Sequence, residues 1–110
     1  MDQSNPQISV EYANEVAIAT IRAEKILEES DIQSLESTVM PLIGDESVKL
    51  VIDFSNVKFL TSSALGLLIR ISKKVYERDG QLRLACIDRK ILEIFKITRL
   101  DKVFEIHADR

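Results

Sequence analysis

The sequence predicts a single α/β domain, a mixed and mostly parallel β-sheet packed with helices, in the order β-β-α-β-α-β-α-β. Three observations lead there. The chain has 110 residues, 45% hydrophobic and 30% charged, which suits one globular domain. Its opening third holds two runs with the period of two expected of strands. Beyond residue 30, apolar strand-like runs alternate with helix-period segments, and that alternation builds parallel strand–helix–strand units.

Residues 1–6 are polar and read as a flexible start. Ile8, Val10 and Tyr12 alternate with polar neighbours, as in a half-buried strand. Ala13-Asn14-Glu15 reads as a tight turn, although it lacks the strong Asn-Gly signal. The run from Val16 to Arg22 has little polarity on either face, so it is expected to be central. Ser30 and Gln33 form a capping-box pair. Ile32, Leu35, Val39 and Leu42 or Ile43 then recur at helical spacing, predicting a helix near 31–43. Pro41 removes a donor and crowds the turn before it, so regular helix should end early, with Gly44 as the stop. Residues 48–54 are nearly continuously apolar, the mark of a strand buried on both faces.

The next helix is predicted from Ser62 to about Arg78, with Asp79-Gly80 ending it. Ala64, Leu67, Leu68, Ile71 and Val75 make its core stripe. Leu65, Ile69 and Tyr76 lie further round. Either a neighbouring helix covers them or they form a partner-binding patch. Gly66 falls on the opposite side and costs about 1 kcal/mol relative to Ala in a helix interior. Close approach of a partner's backbone would explain it. Residues 81–87 read as the fourth strand. Asp88 caps a short helix whose Ile91, Leu92, Ile94 and Phe95 face inward. A break over 98–101 and a closing strand over 103–106 complete the chain.

Composition narrows function. No apolar run approaches the ~18 residues of a membrane span, and the first ten residues lack the basic start and apolar core of a signal peptide. A cytoplasmic location, away from membranes, is the expectation. Cys86 is the sole cysteine, so no internal disulfide can form; within LRLACI it reads as a core filler. His107 is the sole histidine, which rules out a His-based metal cluster, and it reads as a surface residue. The net charge of −3 argues against nucleic acid as a partner. Residues 1–55 carry 3 basic and 11 acidic side chains, whereas residues 56–110 carry 12 basic and 7 acidic. This is either a pair of solvated faces of opposite bias or a patterned docking surface. Solvated faces are the preferred reading, because sequence does not say which charges gather in space.

The chain is organised around VIDFSNVKFLTSSALGLLIRI, residues 51–71. Val51, Ile52 and Phe54 favour a strand; Asp53, Ser55 and Asn56 end it, Asp53 shaping the loop that follows. Thr61, Ser62 and Ser63 stand where a helix must begin, and hydroxyls there accept bonds from orphan backbone N–H groups. Three phosphate acceptors thus stand at the positive end of a helix dipole. Thr61 reads most simply as the cap and Ser63 as a first-turn residue. On general grounds Ser62 could be either. Enzyme chemistry is not expected: there is no G-x-S-x-G elbow, no Walker loop, no Rossmann glycine pattern and no metal-spaced ligand set. No cofactor is expected either.

DFSNVKFLTSSALGLL resembles the phosphorylation-site segment of STAS domains, the fold of bacterial anti-sigma factor antagonists. In that family a strand ending in Asp-hydrophobe-Ser leads to a hydrophobic pair, then Asp, then Ser-Ser/Thr-Gly/Ala-Leu-Gly. LRLACIDRKILEIFKITRLDKVFEI is similar to the family's last third, with Leu100, Lys102, Val103 and Phe104 in the closing positions. The resemblance spans roughly residues 8–107 and implies one STAS domain over 1–110. It implies phosphorylation at Ser62, with Ser63 and Thr61 ranked behind. It also implies a partner-binding surface of Asp53, Thr61, Ser63, Leu65, Gly66 and Ile69. The implied partners are an anti-sigma factor, usually a serine kinase, bound until Ser62 is phosphorylated, and a phosphatase that resets the site. ATP would belong to the kinase, and a homodimer stays open. Two departures are visible. Thr61 stands where the family usually has Asp, and Ala23-Glu24-Lys25-Ile26-Leu27 lacks the family's Gly-x-hydrophobic-Asp step. They leave room for a constitutive STAS-type interaction subunit, for example in a lipid-transport assembly.

Overall fold

The opening pair of alternating runs forms an antiparallel hairpin, β1 (Ile8–Ala13) and β2 (Val16–Ile21). The computed structural model describes residues 8–22, 24–26, 29–43, 48–102 and 104–107. Ala13 pairs with Val16, so Asn14 and Glu15 alone make the turn. Both have positive φ, 51° and 70°, the backbone of a type I′ turn whose twist matches that of the strands. After β2 come β3 (Lys25–Ile26), α1 (Glu29–Val39), β4 (Lys49–Asp53), β5 (Phe59–Leu60), α2 (Ser62–Glu77), β6 (Gln81–Ala85), α3 (Arg89–Ile97) and β7 (Glu105–His107).

The main sheet has five strands in the order β1-β2-β4-β6-β7, antiparallel at its first pair and parallel thereafter. This is the mixed, mostly parallel sheet expected, with β2 inside it. Period two sorts the strand residues by face. Ala17, Ala19, Ile21, Leu50, Ile52, Leu82 and Leu84 are buried in one core with Ile32, Leu35 and Val39 of α1. Ala64, Leu67, Leu68, Ile71 and Val75 of α2 and Ile91 and Phe95 of α3 join the same core. Phe95 meets Phe104 with ring centroids 5.7 Å apart, closing the core beneath the last strand.

Several details depart from the sequence reading. β3 and β5 form a second, two-stranded parallel sheet that no periodicity announces, because two residues are too few to show one. Helix α1 begins at Glu29, which puts Ser30 inside the first turn rather than at the cap. Its α-helical hydrogen bonding ends at Val39, and Met40–Leu42 tightens into a 3₁₀ turn with Pro41 at its start, where proline needs no donor. Gly44 lies outside the described residues. β6 stops at Ala85, because Cys86 turns to φ 59°; Cys86 is half-buried at this strand end rather than filling the core. Ile94 is exposed, and only Ile91 and Phe95 of α3 are fully inward. A 3₁₀ turn at Leu100–Lys102 precedes β7, and Val103 lies outside the described residues, as does the His107 side chain.

Helix α2 ends in a Schellman motif. The Gly80 N–H donates to the Val75 carbonyl at 2.9 Å and the Asp79 N–H to the Tyr76 carbonyl at 3.1 Å. The left-handed residue is Asp79, φ 58°, and not the glycine. Gly80 serves instead as a close-approach residue: a Cβ there would lie 2.5 Å from the Val48 carbonyl oxygen.

Candidate functional site at the N-terminus of the second long helix

Parallel strands send their following loops to one end of the sheet, and ligands of open α/β sheets commonly meet the fold there. In this chain the ends of β4 and β6 lie side by side: the Phe54 N–H donates to the Ala85 carbonyl at 2.9 Å. Asp53 closes β4. Its Oδ1 accepts the Ser55 N–H at 2.8 Å, bending the chain out of the sheet. The loop then runs back across the earlier connection, where the Lys58 and Phe59 N–H groups both donate to the Glu24 carbonyl, at 2.7 and 3.2 Å. The β3–β5 ladder continues this clamp through Lys25 opposite Phe59. The ammonium of Lys25 sits 5.6 Å from the Phe59 ring centroid. Thus the chain entering α2 is held by backbone bonds on one side. On the other, Lys58 pairs with Asp88 at 3.4 Å.

Thr61 is the N-cap, as expected. Its backbone is extended, its Oγ1 accepts the Ala64 N–H at 3.3 Å, and its carbonyl accepts the Leu65 N–H at 3.1 Å. Ser62 and Ser63 follow as the first two helical residues, and both are exposed. Helix geometry leaves their N–H groups without an intrahelical carbonyl. No acidic residue stands in this first turn to offset the positive end of the helix. A phosphate on Ser62 would therefore meet backbone donors and a favourable dipole, worth about 0.3–1 kcal/mol at such an exposed terminus. The modification could be accepted without unfolding its host.

The expected partner surface does not survive whole. Asp53 is 4% exposed and Leu65 8%, so neither presents itself to a docked protein. The physical reason is packing. Helix α1 lies beside α2, with Glu36 of one and Arg70 of the other 3.9 Å apart. Leu65 joins Ile32 and Leu35 of α1 in the buried cluster, and Ile69 packs half-buried against that cluster. Asp53 acts from inside, on the loop. Of the three residues read as lying further round α2, Tyr76 alone is exposed. Gly66 is half-buried by area, yet a Cβ built on it meets nothing within 4 Å, so open space lies above the helix there. Phe59 is the residue the sequence reading missed. It is 48% exposed and lies three positions before Ser62; in the sequence it is half of the apolar pair Phe59-Leu60, and nothing local says that it faces solvent while Val57 is buried.

Elsewhere the described residues offer little chemistry. Among them, no three His, Cys, Asp or Glu side chains gather closely enough to hold a metal ion. A shallow cleft of about 180 Å³ is lined by Val16, Lys49, Leu50, Val51, Gln81 and Arg83, at the start of the parallel strands and so away from Ser62. It is below the ~300 Å³ of ordinary small-molecule pockets. No helix among the described residues is long and apolar enough to cross a membrane.

The STAS domain family profile matches residues 7–110. The chain belongs to the STAS domain family. This STAS domain is 28% identical over 74 residues to the anti-sigma-B factor antagonist of Bacillus subtilis, covering 67% of each chain. It is 24% identical over 76 residues to the anti-sigma-B factor antagonist of Staphylococcus aureus, covering 69% of this chain and 70% of that protein. Among solved structures, an anti-sigma-factor antagonist STAS domain protein from Planctomyces limnophilus superposes with a TM-score of 0.85 at 23% identity, covering 94% of this chain and 91% of the other. That structural likeness establishes the fold.

Proposed function

We propose that this STAS domain is an anti-sigma factor antagonist, a binding module and not an enzyme. In this reading it docks an anti-sigma factor of the serine-kinase type over the N-terminus of α2 and lets it go once Ser62 is phosphorylated. A phosphatase restores the binding form, and the exchange takes place in the cytoplasm. The observation that carries the reading is the exposed Ser62 on the first turn of α2, beside a Thr61 that already supplies the cap. Capping does not need Ser62, so its hydroxyl is available for modification. The names of the curated relatives support the same direction.

The switch is electrostatic. Phosphate adds about −1.5 to −2 charges at neutral pH. In the unbound protein water and the helix end solvate that charge. Beneath a docked protein it must be desolvated, and every 1.4 kcal/mol of that cost weakens binding about tenfold. Phe59, Ser63, Gly66 and the exposed side of Thr61 fall under the same footprint.

Mass spectrometry of protein isolated from its source should find phosphate on Ser62, ahead of Ser63 and Thr61. Titration against the serine-kinase anti-sigma factor of the same genome should give tight binding for wild type and Ser62→Ala. Ser62→Asp should bind about 100-fold or more weakly. Equal binding by all three, with no phosphate found, would reject the switch. It would favour the second reading, a constitutive STAS-type interaction subunit. The uncharged Thr61, in the place where the family usually has Asp, is the observation favouring that alternative.

A further inference from the structure

The edge of a sheet presents a row of backbone donors and acceptors, and β1 is such an edge. Among the described residues its ladder runs on one side only, to β2. The usual guards against further pairing are missing from it. Its six residues, ISVEYA, include no lysine and no proline, and its register with β2 runs from Ile8 to Ala13 without a bulge. The opposite edge, β7, is only three residues long.

The hairpin fixes which backbone groups point outward. A two-residue turn is closed by a pair that exchanges both N–H···O bonds, here Ala13 with Val16. Hydrogen-bonded and non-hydrogen-bonded pairs alternate along an antiparallel ladder, so Glu11 and Ser9 also turn their backbone groups to β2. The N–H and C=O groups of Ile8, Val10 and Tyr12 therefore face away from it. The same three side chains share one face of the sheet, opposite Ile21, Ala19 and Ala17 of the core. Ile8 is buried, Val10 half-buried and Tyr12 69% exposed.

An antiparallel partner strand must set its own outward residues against these. A second β1 does so about a two-fold axis at Val10. Val10 then faces Val10 of the second copy, and Ile8 faces Tyr12 in both directions, so every outward group of the strand is bonded. The exposed ring gains an aliphatic neighbour, a favourable cross-strand pair. Ser9 faces Glu11, which keeps the two carboxylates from standing opposite each other. Moving the axis to Glu11 would set them face to face. Moving it to Ser9 would set Tyr12 against Pro6, which has no N–H.

We propose that two copies of this chain join edge to edge through β1, in the register that pairs Val10 with Val10, making one continuous sheet across both. The contact is isologous and closes at two chains. It uses neither Ser62 nor the first turn of α2 and stands independently of the anti-sigma reading.

Sedimentation equilibrium of the full chain should give a weight-average mass that rises with concentration and levels at two chains. Amide exchange followed by NMR tests the register. In dilute protein the Val10 and Tyr12 N–H groups should exchange faster than those of Glu11 and Ala13, which are bonded to β2. At a concentration about ten times the dissociation constant, Val10 and Tyr12 should slow about tenfold. Tyr12→Pro removes an outward N–H and an exposed side chain, a change that an edge strand tolerates, and should weaken association at least tenfold. Tyr12→Ser keeps the N–H and removes only the ring, and should weaken it about threefold or more. Circular dichroism checks that both variants are folded. A wild type that stays monomeric to ~1 mM would overturn the proposal and leave the β1 edge to solvent or to a strand of another protein. A mass that passes two chains would overturn it equally. So would a dimer in which Val10 and Tyr12 exchange as fast as in dilute protein, or undiminished pairing by folded Tyr12→Pro.

Discussion

Two glycines within fifteen positions should respond in opposite directions to one substitution. At Gly80 an added Cβ would lie 2.5 Å from the Val48 carbonyl oxygen, 3.0 Å from the Val48 nitrogen and 3.0 Å from Val75 Cγ1. The φ of Gly80 is not positive, so alanine meets no torsional penalty and the effect is purely steric. The obstacle is backbone, and it is pinned: the Val48 carbonyl accepts the Gln81 N–H at 2.8 Å, at the start of the β4–β6 ladder. Relief requires either moving that ladder or opening the Schellman turn. Overpacking of this kind costs about 1–3 kcal/mol. Losing a hydrogen bond adds about 1 kcal/mol. Gly80→Ala should therefore destabilise by about 2–4 kcal/mol, lowering Tm by roughly 4–8 °C for each kcal/mol in a domain of this size. At Gly66 nothing lies within 4 Å of the added carbon, and the helix gains about 0.8–1 kcal/mol from alanine. Urea unfolding of both variants beside wild type, with unchanged m-values, measures both signs. A Gly80→Ala protein within about 0.5 kcal/mol of wild type would refute the steric reasoning, since the lower unfolded-state entropy of alanine offsets only about 0.4–1 kcal/mol of the clash.

Other consequences follow from the site. Thr61→Ala should cost about 1 kcal/mol by urea unfolding, because the Ala64 N–H loses its acceptor, whereas Thr61→Asp keeps a cap and should stay within about 0.5 kcal/mol of wild type. Gly66→Leu should leave the helix stable yet block a partner that approaches its backbone, so in the titration proposed above it should bind weakly while unfolding normally. Asp88 sets a pH response. The Lys90 backbone N–H above all, with Lys58 assisting and partial desolvation opposing, holds its carboxyl below the ordinary 3.8. An acid whose folded-state value is depressed contributes its full stability above 3.8 and loses it as pH falls through the lower folded value. Thermal unfolding between about pH 5 and pH 2.5 should therefore fall less steeply for Asp88→Asn than for wild type, and parallel curves would count against the assignment.

How far the fold was legible depended on how long each signal ran. The 16 residues of α2 repeat their apolar spacing often enough to reveal Ala64, Leu67, Leu68, Ile71 and Val75 as its core face, and all five are buried. The Thr61 cap was legible because capping is local: one hydroxyl and one N–H three residues on suffice. The β3–β5 clamp was not, because its bonds join residues more than thirty positions apart and its strands are two residues long. The burial of Leu65 and the withdrawal of Asp53 were hidden for a related reason. A wheel locates a side chain on its own helix, and says nothing about the neighbour that will cover it.

The sequence by itself determined the alternation of strands and helices, the family pattern around residues 51–71 and the place of Ser62 just inside a helix, since local periodicity and capping chemistry need no distant partner. Tertiary structure alone decided which residues of that segment face solvent and how the loops brace one another across the strand ends. It also decided the strand order, which puts the opening hairpin and the last strand at opposite edges of the sheet. Exposure and the gathering of charge are properties of surfaces, and a surface exists only once distant stretches of chain have packed.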